Sequence, residues 1–125
     1  MTYTISKTFR FEAAHQLHGL PPDHQCARMH GHSYRVDLEL TELGAELDYP
    51  GFVVDFGRLK PFKEWIDKTL DHRVLNEILP VEPTAENLAA WIFSVVEIAL
   101  PEWITGKVAA VRVHETETSW AEYRP

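Results

Sequence analysis

The sequence predicts an α+β domain in the order strand, strand, helix, helix, strand, strand. Three observations carry that reading. Apolar and polar residues alternate toward both ends of the chain, apolar residues recur at helical spacing in the middle, and Gly- or Pro-containing stretches separate the blocks. In the first block Tyr3, Ile5, Phe9, Phe11 and Ala13 share one face of a half-buried strand, and His15 continues their parity. A polar, proline-containing segment runs from Gln16 to Met29. Beyond it, Tyr34, Val36, Leu38 and Leu40 alternate with Ser33, Arg35, Asp37, Glu39 and Thr41, and His30 and His32 fall on the apolar parity. Consecutive strands usually pair, so these two are expected as antiparallel neighbours, the end of the first beside the start of the second.

After a turn region at Gly44 to Gly51, Phe52-Val53-Val54 reads as a short extended piece and Asp55 as a helix N-cap. Leu59, Phe62, Ile66 and Leu70 follow at helical spacing. Pro61 bars a regular helix from running through it, which predicts a first turn at Phe56 to Lys60 and the main helix after it. Thr84 caps a second helix whose inner face carries Leu88, Trp91, Ile92, Val95 and Ala99, with Pro101 expected beyond its end. In the tail Ala109, Val111 and Val113 share one face that leads to Glu115, and Trp120 and Tyr123 belong to a last strand. No repeat or linker interrupts the pattern, so residues 1–125 form one domain.

Composition removes several function classes. With 45% hydrophobic and 25% charged residues the chain can build a packed core, which excludes a disordered or fibrous protein. Twelve basic against 19 acidic residues give a net charge of -7, so no nucleic acid partner is expected. No apolar run approaches the roughly 20 residues needed to cross a bilayer. Met1 to Arg10 lacks the apolar stretch of a signal peptide, and a cytoplasmic location is expected. The single cysteine, Cys26, rules out an intrachain disulfide and a four-thiolate metal site.

Seven histidines, six of them in the first 72 positions, direct attention to metal chemistry. His30-Gly31-His32 places two imidazoles on one strand face, Cα atoms roughly 7 Å apart, and antiparallel pairing can bring His15 to them. Three neutral nitrogens without a fourth protein ligand describe an open, catalytic zinc position. Cys26, four residues before His30, could act there as nucleophile, ligand or base, or pack as an inert small hydrophobe. Asp71-His72 could move protons or could be a helix-end charge arrangement. Glu115 is a carboxylate on an inward parity, and a ligand with several N–H donors would satisfy it. His18, His24 and His114 read as surface or loop histidines.

Six ordered segments then resemble a known family. FEAAH (Phe11 to His15), CARMHGHSY (Cys26 to Tyr34), VVDF (Val53 to Phe56), LDHRVLN (Leu70 to Asn76), PTAEN (Pro83 to Asn87) and VRVHET (Val111 to Thr116) are similar to segments of the 6-pyruvoyltetrahydropterin synthases. The three-residue spacer between Cys26 and His30 resembles the 6-carboxytetrahydropterin synthase branch of queuosine biosynthesis. This resemblance implies the tunnelling fold (T-fold), a four-stranded antiparallel sheet with two helices between strands 2 and 3. It also implies three subunits closing a twelve-stranded barrel and two trimers stacking into a homohexamer. By the same resemblance Zn²⁺ sits on His15, His30 and His32, Cys26 accepts a proton, Asp71 and His72 are its relay partners, and Glu115 grips the pterin ring. Thr84 joins Glu115 as a substrate-binding residue. The implied reaction converts 7,8-dihydroneopterin triphosphate to 6-carboxy-5,6,7,8-tetrahydropterin with loss of triphosphate and acetaldehyde, and Arg10, Arg28, Arg73 and Lys107 are the cations open to the triphosphate. The alternatives are pyruvoyl-tetrahydropterin formation or a related pterin side-chain cleavage, and, from another class, a non-catalytic zinc-binding module.

Overall fold

The two predicted N-terminal strands are present as β1 (Thr4–His15) and β2 (His30–Thr41). They pair antiparallel in continuous register from Thr4 opposite Thr41 to His15 opposite His30. The structure, a computed structural model, describes every residue except Met1, Leu43, Ala45 and Glu46. Part of the turn predicted at 44–51 therefore lies outside the described residues. Beyond it Asp55 caps a 3-10 turn (Phe56–Leu59), its Oδ1 accepting from the Gly57 N–H at 3.0 Å. The turn runs into α1 (Lys60–Thr69), with Pro61 in the first helical turn, where a missing N–H costs nothing. Leu59, Phe62, Ile66 and Leu70 are all buried, as their spacing predicts.

The sheet has the order β3-β1-β2-β4-β5, where β3 is Arg73–Val74, β4 Lys107–His114 and β5 Trp120–Tyr123. Four of its strands are the predicted antiparallel set. The fifth, β3, lies parallel to β1 beside Ala13 and Ala14 and was not expected, because two residues carry no periodicity to read. It forms because the chain leaving α1 reverses through His72, whose φ of 58° is uncommon for a residue with a Cβ.

A second difference is in β4. The β2–β4 register slips between Glu39 and Leu40, which face Ala110 and Val108, so Ala109 is the extra residue of a bulge. Ala109 is consequently half-buried, while Val108, Ala110, Val111 and Val113 are buried. The bulge leaves Val111 and Val113 on the core face, and the parity that points to Glu115 survives.

The second helix, α2 (Ala85–Trp103), is longer than predicted and contains Pro101 in its last turn. Its buried face is Leu88, Ala89, Ile92, Phe93, Val96 and Leu100, and Trp91, Val95 and Ala99 are only half-buried. The face is rotated because α2 lies across the C-terminal strands, where the Phe93 ring meets Tyr123 at 5.1 Å. Both helices cover one sheet face, with the Phe62 ring edge-on to Phe9 at 4.8 Å. The other face carries the polar parity of β1, β2 and β4, including Glu12, Ser33, Arg35, Asp37 and Arg112. No helix among the described residues is long and apolar enough to cross a membrane.

Candidate active site

The hairpin register places His15 opposite His30, and Ala13 opposite His32, at the end of the strand pair. All three imidazoles lie on the core parity. Their ring centroids are 4.5 Å (His15–His30), 5.1 Å (His15–His32) and 5.0 Å (His30–His32) apart. One nitrogen from each falls within 4.8 Å of the other two, an arrangement that could hold a metal ion. Among the described residues neither Cys26 nor Glu115 belongs to that group.

The tautomers follow from the acceptors. His15 Nδ1 donates to the Pro83 carbonyl and His30 Nδ1 to the Arg28 carbonyl, each at 2.7 Å. A carbonyl only accepts, so Nδ1 carries the proton in both rings, and in the neutral imidazole Nε2 is then the nitrogen with the lone pair. His15 Nε2 and His32 Nε2 are buried without a partner in the protein. Burial pushes the His32 imidazole below its ordinary pKa, Glu115 opposes this, and His15 and His30 add to it, so the ring is neutral near pH 7. Tyr34 closes the floor, fully buried and stacked on Phe11, its hydroxyl 3.4 Å from His15 Nδ1. Burial and the Glu115 charge both push the phenol up, keeping it protonated.

The remaining predicted residues separate into two groups. Glu115 stands beside the imidazoles, and the loop of Cys26 is tied to the chain just after His15. Cys26 is half-buried in a 3-10 turn (Gln25–Ala27), with its N–H donating to His24 Nδ1 at 3.0 Å and its carbonyl accepting from Leu17 N–H at 3.0 Å. Glu115 follows the end of β4 and brings Oε2 to 3.9 Å from His32 Nε2. Asp71 and His72 stand elsewhere. His72 Nδ1 meets Asp71 Oδ2 at 2.8 Å, and Asp71 Oδ1 accepts the Glu12 N–H at 2.9 Å. These bonds, the backbone one first, hold the half-buried Asp71 carboxyl below its usual range. His72 lines a cavity of about 470 Å³ with Glu12, His32, Ser33 and Arg73, and no hydrogen bond joins the pair to Cys26 among the described residues.

Thr84 has its hydroxyl engaged as the cap of α2, accepting from Asn87 N–H at 3.1 Å. Its neighbour Pro83 contributes the carbonyl that orients His15. Four supports escaped the sequence reading: the Pro83 and Arg28 carbonyls, His24 and Asn76. Asn76 clamps the chain just after His15, its Oδ1 taking the Gln16 N–H at 2.9 Å and its Nδ2 donating to the Gln16 carbonyl at 2.7 Å. Its place in the LDHRVLN segment was the available signal. His18 is a loop histidine beside Glu82. His114 is a correction: it lies in β4, its side chain 13% exposed, with Nε2 2.8 Å from Asp37 Oδ2. Burial would raise the Asp37 carboxyl, but hydrogen bonds from Thr8 and His114 more than offset it and leave it lowered.

The family model of 6-pyruvoyl tetrahydropterin synthase matches residues 4–125. The chain belongs to this family. It is 42% identical to a 6-carboxy-5,6,7,8-tetrahydropterin synthase of Synechocystis sp., over 97% of this chain and 92% of that one. It is 33% identical to a protein of the same name from Bacillus subtilis, over 99% of this chain and 86% of that one. The structure of Caenorhabditis elegans 6-pyruvoyl tetrahydropterin synthase superposes with a TM-score of 0.79 at 25% identity, covering 100% of this chain and 96% of that one. This member of the tetrahydropterin synthase family is an α+β enzyme with the T-fold arrangement, to which β3 adds a short edge strand.

Proposed function

We infer that this synthase-family enzyme converts 7,8-dihydroneopterin triphosphate and water to 6-carboxy-5,6,7,8-tetrahydropterin, acetaldehyde and triphosphate, in the cytoplasm, on the route to queuosine. The observation that carries this reading is the three-imidazole cluster, with one nitrogen from each ring within 4.8 Å of the other two and the Glu115 carboxylate beside it. His15, His30 and His32 fit Zn²⁺ through those nitrogens. Bound there, the ion supplies Lewis-acid polarisation of the substrate's side-chain oxygens.

The chain's own residues supply the rest. Glu115, at the end of a different strand from the histidines, accepts two N–H bonds from the pterin ring and sets its side chain over the cluster. Cys26, held in its turn by the bonds to His24 and Leu17, takes a carbon-bound proton from the substrate side chain on Sγ. Asp71 fixes the tautomer of His72, which returns protons. In one chain that pair faces the polar side of the sheet, so in this reading it serves Cys26 of an adjoining copy in a homohexamer. Exposed edges on β1 and β5 supply the surfaces through which copies close into a barrel.

Incubating zinc-loaded protein with dihydroneopterin triphosphate and identifying products by mass spectrometry tests the assignment. The expected products are 6-carboxytetrahydropterin and acetaldehyde. A pyruvoyl product places the chain in the other branch, and substrate binding without turnover makes it a zinc-binding module.

A further inference from the structure

The segment that joins β1 to β2 carries Cys26 and is bonded mostly to itself. Leu17 N–H donates to the Cys26 carbonyl at 3.0 Å and Gln16 Nε2 to the Ala27 carbonyl at 2.9 Å, closing the segment across its base. Within it His24 N–H donates to the Pro21 carbonyl at 2.9 Å, and the Ala27 and Arg28 N–H groups donate to the His24 and Gln25 carbonyls. The base is fixed on both sides, by Asn76 on Gln16 and by the His30 ring on the Arg28 carbonyl. Residues 18–25 are all exposed. Among the described residues one side chain from the rest of the chain forms hydrogen bonds to them, that of Glu82.

Glu82 grips the loop at two points. Its Oε1 accepts the His18 N–H at 2.6 Å and lies 3.0 Å from His18 Nδ1. A carboxylate only accepts, so Nδ1 presents its proton to it. Glu82 is itself held at the start of α2. Its carbonyl accepts the Thr84 N–H and Asn87 Nδ2, each at 2.9 Å, and the next residue, Pro83, is buried with its carbonyl on the His15 ring. On the loop side, His18 follows Leu17, the residue whose N–H holds the Cys26 carbonyl. The contact therefore joins the thiol loop to the same segment that orients a histidine of the cluster. Without it the closed loop can swing on its base as a unit, with the turn around Cys26 intact.

We propose that Glu82 is a positioning residue for Cys26, latching the thiol loop to the start of α2. The proposal rests on the reading of Cys26 as the base. Proton transfer requires the base within hydrogen-bond reach of the reacting group, and a small misplacement of a loop lowers the rate steeply. In that reading Cys26 also meets His72 of an adjoining copy, so the seat of the loop is set against two partners. The bond to the His18 N–H is charge-assisted, whereas the bond to the exposed His18 ring adds little.

Two measurements on the zinc-loaded protein test the latch: the rate at which iodoacetamide alkylates Cys26 without substrate, and the steady-state kinetics with dihydroneopterin triphosphate. Glu82→Ala should speed alkylation by at least roughly fivefold, because the half-buried thiol is freed, while kcat falls and KM stays near wild type. A loss of thiol reactivity or of folded protein moves both rates down and does not give this opposite pair of changes. Glu82→Gln keeps an acceptor for the His18 N–H and should return both values toward wild type. His18→Ala keeps the backbone bond and should change both less than Glu82→Ala does. Unchanged alkylation in Glu82→Ala overturns the proposal, as does faster alkylation with kcat unchanged. Zinc loss in Glu82→Ala also overturns it, since the residue then acts through the Pro83 carbonyl and His15. Alkylation needs no substrate, so it decides the latch even where the proposed reaction fails.

Discussion

His15 is 1% exposed and still has a ring nitrogen with no partner in the protein. An unpaired buried acceptor costs about 1–3 kcal/mol, and two of them, on His15 and His32, face each other across a span a metal ion can bridge. Replacing His15, His30 or His32 by Ala is therefore expected to remove most bound zinc and most activity. Elemental analysis that finds full occupancy in His30→Ala would place the ion elsewhere. Cys26→Ala should retain the zinc while turnover collapses, since the thiol stands outside the imidazole group, and near-normal turnover would remove Cys26 from the mechanism. Asp71 makes a pH prediction. Its folded pKa is depressed, first by the Glu12 N–H, so its contribution to stability is present above the ordinary aspartate pKa and is lost as pH falls through the lowered value. Asp71→Asn should flatten that acid limb, which chemical denaturation at successive pH values measures. The types of all these residues were legible in the sequence because the chemistry needs His, Cys and Glu. The carbonyls of Pro83 and Arg28 were not, because every residue carries a carbonyl and only the fold selects which one meets a ring.

Elements show the same division between local and tertiary information. β1, β2 and α1 were readable because each buries one face and so repeats its apolar residues at the period of its geometry. The two-residue β3 and the bulge at Ala109 depend on what lies alongside, and periodicity within a segment cannot encode that. The burial face of α2 was misjudged for a related reason. Nearly the whole helix is apolar, and packing on β4 and β5 decides the rotation. The start of α2 links fold to site most directly, since Thr84 caps the helix while the preceding carbonyl orients His15. Thr84→Ala should cost about 1 kcal/mol, seen as a drop in Tm of roughly 3–6 °C, and should also weaken zinc retention because the Pro83 carbonyl loses its anchor. Thr84→Ser, which keeps the hydroxyl, is expected to restore both. An unchanged zinc affinity in Thr84→Ala would confine the residue to capping.

At the scale of the whole molecule, the sheet separates the residues that the proposed reaction needs together. His15, His30 and His32 lie on the core parity, while Asp71 and His72 bond to Glu12 at the strand edge and open onto the polar face. The strained φ of His72 and the two bonds to Asp71 hold that dyad in place, and among the described residues no hydrogen bond joins it to the chain's own Cys26. β1 and β5 leave edges that a closed ring of copies would cover, and such a ring brings the dyad of one copy to the thiol loop of the next. This arrangement makes a prediction that a single-chain site does not. Cys26→Ala and His72→Ala should each be inactive alone. Unfolded together and refolded as a mixture, they should recover roughly a quarter of wild-type activity, since random assembly pairs an intact thiol with an intact imidazole at that fraction of interfaces. Each variant must first be shown to bind zinc and to match wild type in mass, so that absence of recovery reports on the geometry. Activity no higher in the refolded mixture than in either variant alone would mean that the dyad works within its own chain or takes no part in the proton transfer.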